Sequence, residues 1–404
     1  MQSIRSSLLV KLATTKFTSF RNVHLSIATS MSRRHQQQVE KEIPISSRLD
    51  QTLSNAKRIL TKGDQNDQTQ PNLQNLIAEE VMVITQILQK LVGTNYSLSE
   101  IQKLYENESS SDHFIRGLIV LLISKAALSS NNGIQLEQKD ISTIQWRLAK
   151  IVEMIHMAVL IHRQVRNVAF NTLDSGSIET QLNLSNKISV LYGDFLWAKA
   201  WKELADMGNI EVIDMMVSVL VNTSTGQFLA EVESLDLSRK MNVDYWLEKN
   251  FLLNACLPAF GCRSTLKLVG FDEQLQKKAY DFGQNFGFFN KAYQEIKWFD
   301  NNGNYEEPIN SYSLDLCSLP VIMHSIESGR SFDRMIQKNA FKKQSGEFIM
   351  NQQEFIDIIR KGNGLRQSRS ILENFRQKSL RTLEVFPESE AKGQIKSILE
   401  TMEP

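Results

Sequence analysis

Ile155-His156-Met157-Ala158-Val159-Leu160-Ile161-His162-Arg163-Gln164-Val165-Arg166-Asn167 is the stretch on which the reading of this chain turns. Forward from Trp146, apolar residues recur at Leu148, Ile151, Val152, Ile155 and Val159, the spacing of a helix with one buried side. The stripe then runs into a polar cluster. Arg163 and Asn167 are four apart and Arg166 is three from Arg163, so a continued helix places Arg163 and Asn167 on one face.

Outward from that stretch the chain is helical in pattern throughout. It has 404 residues with only 7 prolines and 18 glycines, and long apolar stretches at helical spacing dominate, which favours one large all-α domain. The net charge of +1 invites no nucleic-acid partner, and no apolar run approaches bilayer-spanning length. Cys256, Cys262 and Cys317 are widely placed with no CxxC, and read as buried or free thiols in a reducing compartment rather than a disulfide frame or zinc site.

The first acidic residue is Glu40. Before it stand Arg5, Lys11, Lys16, Arg21, Arg33 and Arg34 among many Ser and Thr, with Leu8, Leu9, Val10 and Leu12 clustered. That is the composition of a mitochondrial transit peptide over residues 1–40, set against a basic tail with no address, and it leaves 45–404 as the folded domain. Helical patterns follow over 47–59, 76–91 and 111–128, with a polar loop at 63–71.

The opening stretch resembles the first aspartate-rich helix of the trans-polyprenyl diphosphate synthases, where His-x-Ala-x-Leu-x-His leads into Asp-Asp-x-x-Asp. His156, Ala158, Leu160 and His162 are in place, but Arg163, Gln164 and Asn167 fill the three aspartate positions. Ser111-Asp112-His113-Phe114-Ile115-Arg116-Gly117 resembles the segment whose Lys and Arg hold isopentenyl diphosphate in that family; Arg116 survives and His113 replaces the lysine. Thr172 and Leu173 stand where paired arginines are expected. Asn186-Lys187 followed by Gly193-Asp194-Phe195-Leu196 matches the run that opens the central helix, with the glycine permitting close packing and Asp194 capping or bracing backbone. Leu253-Asn254 replaces a Lys-Thr pair. Ala279 to Gly287 resembles the Tyr-Gly-x-x-x-Gly approach to the second aspartate-rich helix, where Gln294, Glu295 and Trp298 occupy the aspartate positions and only Glu295 is a carboxylate. Ser318-Leu319-Pro320-Val321 resembles the start of the next helix, and 361–383 with Phe386-Pro387 the closing helices.

What the resemblance implies is an all-α helical bundle of the isoprenoid synthase type whose reaction chemistry has been replaced. The family ionises an allylic diphosphate, and magnesium held by carboxylates on two facing helices absorbs the charge of the departing pyrophosphate. With Arg163 at a metal position and one carboxylate left, no metal site and no catalytic residue is expected here, and magnesium belongs to a catalytic partner. The degenerate positions most resemble the second, non-catalytic subunits of heteromeric decaprenyl diphosphate synthases. This implies a mitochondrial matrix protein that joins a catalytic polyprenyl diphosphate synthase subunit, as heterodimer or heterotetramer, in making the ubiquinone side chain.

Some readings stay open at this stage. Arg163 either reaches Glu295 across the former cavity or extends to water. His113, Arg116 and His156 form either the remains of an isopentenyl diphosphate site or, respectively, a replaced lysine, a solvated or ion-paired arginine and a core histidine bonded to a carbonyl; His162 reads as a core histidine of the same kind. The alternatives to a partner subunit are an isoprenoid-binding scaffold without a synthase partner and a prenyltransferase active alone with an atypical site.

Overall fold

The computed structural model describes residues 48–61, 114–129, 138–163, 165, 176–233, 242–300, 315–329, 331–335 and 352–402. The expected 1–40 leader, the 63–71 loop, the 76–91 helix and positions His113, Gln164, Asn167, Thr172 and Leu173 lie outside them. Among the described residues there is no strand, and the fold is the expected all-α bundle.

We label the helices in chain order: α1 Arg48–Thr61, α2 Ile115–Leu128, α3 Gln138–Arg163, α4 Gly176–Met207, α5 Ile210–Glu233, α6 Val243–Asn250, α7 Cys256–Val269, α8 Glu273–Asp300, α9 Leu319–Ser328, α10 Gln352–Lys361, α11 Gly364–Leu383 and α12 Glu390–Thr401. A π turn, Phe251–Ala255, joins α6 to α7. α8 packs along α7 and α11, α3 packs between α2 and α4, and α2 also meets α7 and α12. α2 is apolar almost all round and nearly every side chain on it is buried, as a central helix requires. Trp246, Phe282, Phe286, Phe289, Phe299 and Phe386 are the largest fully buried side chains.

Glycines set the closest approaches. Along α8, Gly283 and Gly287 lie one turn apart against the backbone of 255–259: a Cβ at Gly283 would fall 2.3 Å from the Pro258 carbonyl oxygen, and one at Gly287 2.4 Å from the Ala255 Cα. The Gly-x-x-x-Gly spacing is thus the seam between α7 and α8.

Two boundaries differ from the sequence reading. α3 ends at Arg163, and Val165 lies outside any helix, so the helical face expected to carry Arg163 onward to Asn167 stops at Arg163. α4 begins at Gly176, ten residues before Asn186, because the polar stretch 176–181 shows no apolar stripe; Asp194 therefore lies inside the helix and caps nothing. The three cysteines are buried thiols. Ile210–Ala230 of α5 is one helix long and apolar enough to cross a membrane, with 28% of it buried. The sequence reading found no such run because Glu211, Asp214 and the polar stretch 222–225 interrupt it.

Candidate functional site

Buried charges gather in two places, at the start of α2 and along α8. At the first, Arg116 and His156 come together: Arg116 is buried at the start of α2, and its Nη1 lies 2.9 Å from His156 Nε2 on α3. A guanidinium can only donate, so Nε2 accepts and carries no proton of its own. One turn before His156 stands Glu153, fully buried. One of its oxygens accepts the Gly117 N–H, and a Cβ at Gly117 would lie 2.9 Å from Glu153 Cγ, so the glycine is what lets the two helices bring backbone to carboxylate. Burial pushes the Glu153 carboxyl up to about 7; the Gly117 N–H and the Arg116 charge oppose that rise without cancelling it. Arg116 thus bonds His156, which the sequence reading had offered as a core histidine bonded to a carbonyl, and its charge acts on the Glu153 carboxyl. Glu153 was overlooked in the sequence, although its signal is there: a carboxylate in the middle of Ile151-Val152-Glu153-Met154-Ile155.

His162 sits where the sequence reading put it, bonded to a backbone carbonyl. Its Nε2 is 3.3 Å from the Val190 oxygen on α4 and 3.3 Å from Asp194 Oδ1. Its ring occupies the space that a side chain at Gly193 would need, since a Cβ there would fall 2.1 Å from Nε2. The Gly193-Asp194 pair is therefore a seat for His162: the glycine clears the ring and the aspartate faces its nitrogen. Arg163 is exposed at the end of α3, and its charge opposes the rise of the Cys256 thiol, which burial pushes up to about 12.

At the second region Glu295 turns into the core of α8, while Gln294 and Trp298 are half-buried. Trp298 meets Phe299 edge-on at 4.8 Å between ring centroids. Glu295 Oε2 accepts from Trp246 Nε1 at 2.9 Å and from the Leu319 N–H at 2.8 Å. Oε1 faces Lys291 Nζ at 3.2 Å. Leu319 is the first residue of α9, whose N-cap Ser318 makes no side-chain cap, so the carboxylate of α8 satisfies a free N–H at that helix start. This set replaces the pairing with Arg163 that was one reading of the sequence. Beside it, Lys249 lies 3.3 Å from Asp315, and the Cys317 N–H donates to the same carboxylate at 2.9 Å. Burial works to raise the Asp315 carboxyl, but Lys249, Lys291 and the Cys317 N–H outweigh it and hold it below the usual range. Replacing Trp246 by Phe removes the indole N–H and also part of a fully buried ring. We expect a loss of about 3 kcal/mol in urea unfolding, from the hydrogen bond lost by a buried carboxylate and the cavity left behind; an unchanged midpoint would mean that neither contributes.

Leu253, at the position of the expected lysine, lies in the π turn and packs on Gly226 of α5, where a Cβ would come within 2.7 Å of its Cδ2. Asn254 donates to Asn250 at 2.7 Å, and Asn250 to the Trp246 carbonyl at 2.9 Å, so the turn is braced internally.

These residues do not fit magnesium. The ion needs hard oxygen donors in octahedral array. The first region presents a guanidinium, and the carboxylate of the second is engaged by two N–H groups and an ammonium. Among the described residues no group of three or more His, Cys, Asp and Glu is placed to hold a metal ion.

Residues 100–295 match the polyprenyl synthetase family. The chain is similar to the all trans-polyprenyl-diphosphate synthase PDSS2 of Rattus norvegicus, 28% identical over 335 residues that cover 81% of each chain. It is also similar to a probable mitochondrial hexaprenyl pyrophosphate synthase of Neurospora crassa, 25% identical with 81% of this chain and 80% of the relative covered. Among solved structures, a polyprenyl synthase from Caulobacter crescentus superposes with a TM-score of 0.58 at 20% identity, covering 83% of this chain and 98% of the other. A decaprenyl diphosphate synthase from Rhodobacter capsulatus gives 0.55 at 17% identity, covering 82% and 97%.

Proposed function

We propose, from the match of residues 100–295 to the polyprenyl synthetase family, that this chain is the non-catalytic subunit of a heteromeric all-trans-polyprenyl diphosphate synthase. The observation that carries this reading is the fate of Glu295. The only carboxylate at the second aspartate-rich position is engaged by Trp246, Leu319 and Lys291 and so serves to join helices. A catalytic subunit with intact carboxylates supplies the magnesium and ionises the allylic diphosphate, and this chain binds no metal of its own. The complex joins isopentenyl units into a decaprenyl or similar chain for ubiquinone in the mitochondrial matrix. The basic, acid-free residues 1–40 and the mitochondrial relative support that location.

A surface suited to such a partner supports the same reading. On α5, Ile210, Val217, Val221 and Phe228 recur at steps of seven, four and seven, one face of a helix, and are 81%, 41%, 58% and 74% exposed. Val190 and Leu191 on α4 are exposed as well. Apolar side chains this open, in a row, mark an interaction surface.

The test is a prenyltransferase assay with magnesium and labelled isopentenyl diphosphate, on this chain alone and mixed with the carboxylate-bearing synthase of the same organism. Product only in the mixture is the expected result; product from this chain alone would overturn the reading. A Val221→Asp/Phe228→Asp chain should fold normally by circular dichroism yet bind the synthase about thirtyfold more weakly, the loss of about 2 kcal/mol typical of a central apolar contact. Full binding by that variant would take the α5 face out of the interface.

A further inference from the structure

We infer that Lys291 and Lys249 stand in for divalent cations where α6, α8 and the start of α9 converge, making a metal-free charge clasp; this deepens the non-catalytic reading and rests on it. The clasp has two carboxylates, Glu295 on α8 and Asp315 just before α9, and two ammonium groups. Lys291 lies four residues before Glu295 on the same helix and 3.2 Å from it. Lys249 reaches Asp315 from α6 at 3.3 Å and is itself only 3% exposed, a burial that a lysine tolerates only when paired. The two pairs are coupled, because Asp315 also feels the charge of Lys291.

The charge balance is what makes this a substitution rather than a chance pair of salt bridges. Two carboxylates and one divalent cation sum to zero, as do two carboxylates and two ammonium groups. The protein delivers the same two positive charges on anchored stems, and an ion approaching the carboxylates meets those charges first. Glu295 Oε2 also accepts from the Trp246 indole N–H and the Leu319 backbone N–H, and Asp315 Oδ1 from the Cys317 backbone N–H. What a bound ion does for structure, joining helices through shared carboxylates, is done here without one.

The experiment is thermal melting of the full chain with and without millimolar Mg2+ or Mn2+. The wild-type midpoint should not move with either ion. Lys249→Met/Lys291→Met leaves the two carboxylates without their ammonium groups; it should melt several degrees lower in EDTA and recover much of that loss in Mn2+, since an ion that binds only the folded state raises its midpoint. Should that variant fail to fold, Lys291→Met alone gives the same test with half the charge removed, and Lys291→Met/Glu295→Gln is its neutral control, indifferent to metal. A wild-type midpoint that rises with Mg2+ or Mn2+ would overturn the inference, as would a Lys291→Met chain no more metal-responsive than its control. None of these readouts uses turnover. Product made by this chain alone would strike at the proposed function, and the melts would still judge the clasp separately.

Discussion

A chain carrying Gly283→Ala is expected to lose about 3 kcal/mol of stability, the upper end of what overpacking usually costs. The reason is the identity of the neighbours. A Cβ at 283 would lie 2.3 Å from the Pro258 oxygen, 2.6 Å from its carbonyl carbon and 2.8 Å from the Ala259 Cα. All three are backbone, so no side chain can swing aside, and α7 must move as a body away from α8. Alanine favours the helix by about 1 kcal/mol over glycine, which offsets only part of the cost. Gly287→Ala should behave alike, since its Cβ would meet the Ala255 Cα at 2.4 Å. The double variant should cost less than the sum, because helices parted by the first methyl have already made room for the second. Gly393→Ala on α12 is the control: nothing lies within 4 Å of that Cβ, and a gain of about 0.5–1 kcal/mol is expected there. Urea unfolding of wild type and the four variants decides it. Equal midpoints for Gly283→Ala and wild type would mean that the seam between α7 and α8 is looser than its geometry.

How much of this was open to reading in the sequence depended on the range of the interaction. Local periodicity placed α1, α2 and α3, and the family resemblance placed α9; α1 and α9 begin within a residue of those expectations, with Pro320 in the first turn of α9. The Gly-x-x-x-Gly of α8 was matched as a motif, and its packing against the backbone of 255–259 came only with the fold. Lys291 and Glu295 are four apart on one helix, a pair that spacing alone can suggest. Lys249 and Asp315 are 66 residues apart, as are Lys125 and the Ile59 carbonyl, and nothing local marks either pairing. The sequence showed that Glu295 was the lone carboxylate of its motif. That it caps α9 and takes the Trp246 N–H came only with the fold, because both partners arrive from other helices. The end of α3 was misjudged for a related reason: the residues beyond Arg163 are compatible with helix, and what stops the helix lies outside the pattern. Glu153 was visible as an oddity, an acid among aliphatics, but its meaning needed the facing α2 backbone.

Replacing that acid, Glu153→Gln, should flatten the pH dependence of stability by about 3 kcal/mol. The sign follows from where the protons sit. The usual value of this carboxyl is 4.5, and in the folded chain burial raises it to about 7. Below about pH 4.5 the group is protonated whether the chain is folded or not, and its contribution to stability is fully present. Between 4.5 and 7 the folded chain holds the proton that the unfolded chain releases, so stability falls as pH rises, and above 7 the whole penalty of a buried carboxylate is in force. Glutamine keeps an oxygen for the Gly117 N–H and does not titrate. Other groups also respond to pH: burial lowers the His324 imidazole, and Asp315 is lowered by its lysines. Both are present in each chain and cancel in the difference. Urea unfolding of wild type and Glu153→Gln at intervals from pH 5 to 8 should therefore give curves that diverge, with the variant gaining on the wild type toward pH 8. Parallel curves would mean that Glu153 is solvated or stays ionised through this range. The Arg116 charge opposes the rise of the Glu153 carboxyl without cancelling it, so it lessens the penalty of burying a charged Glu153 but does not remove it.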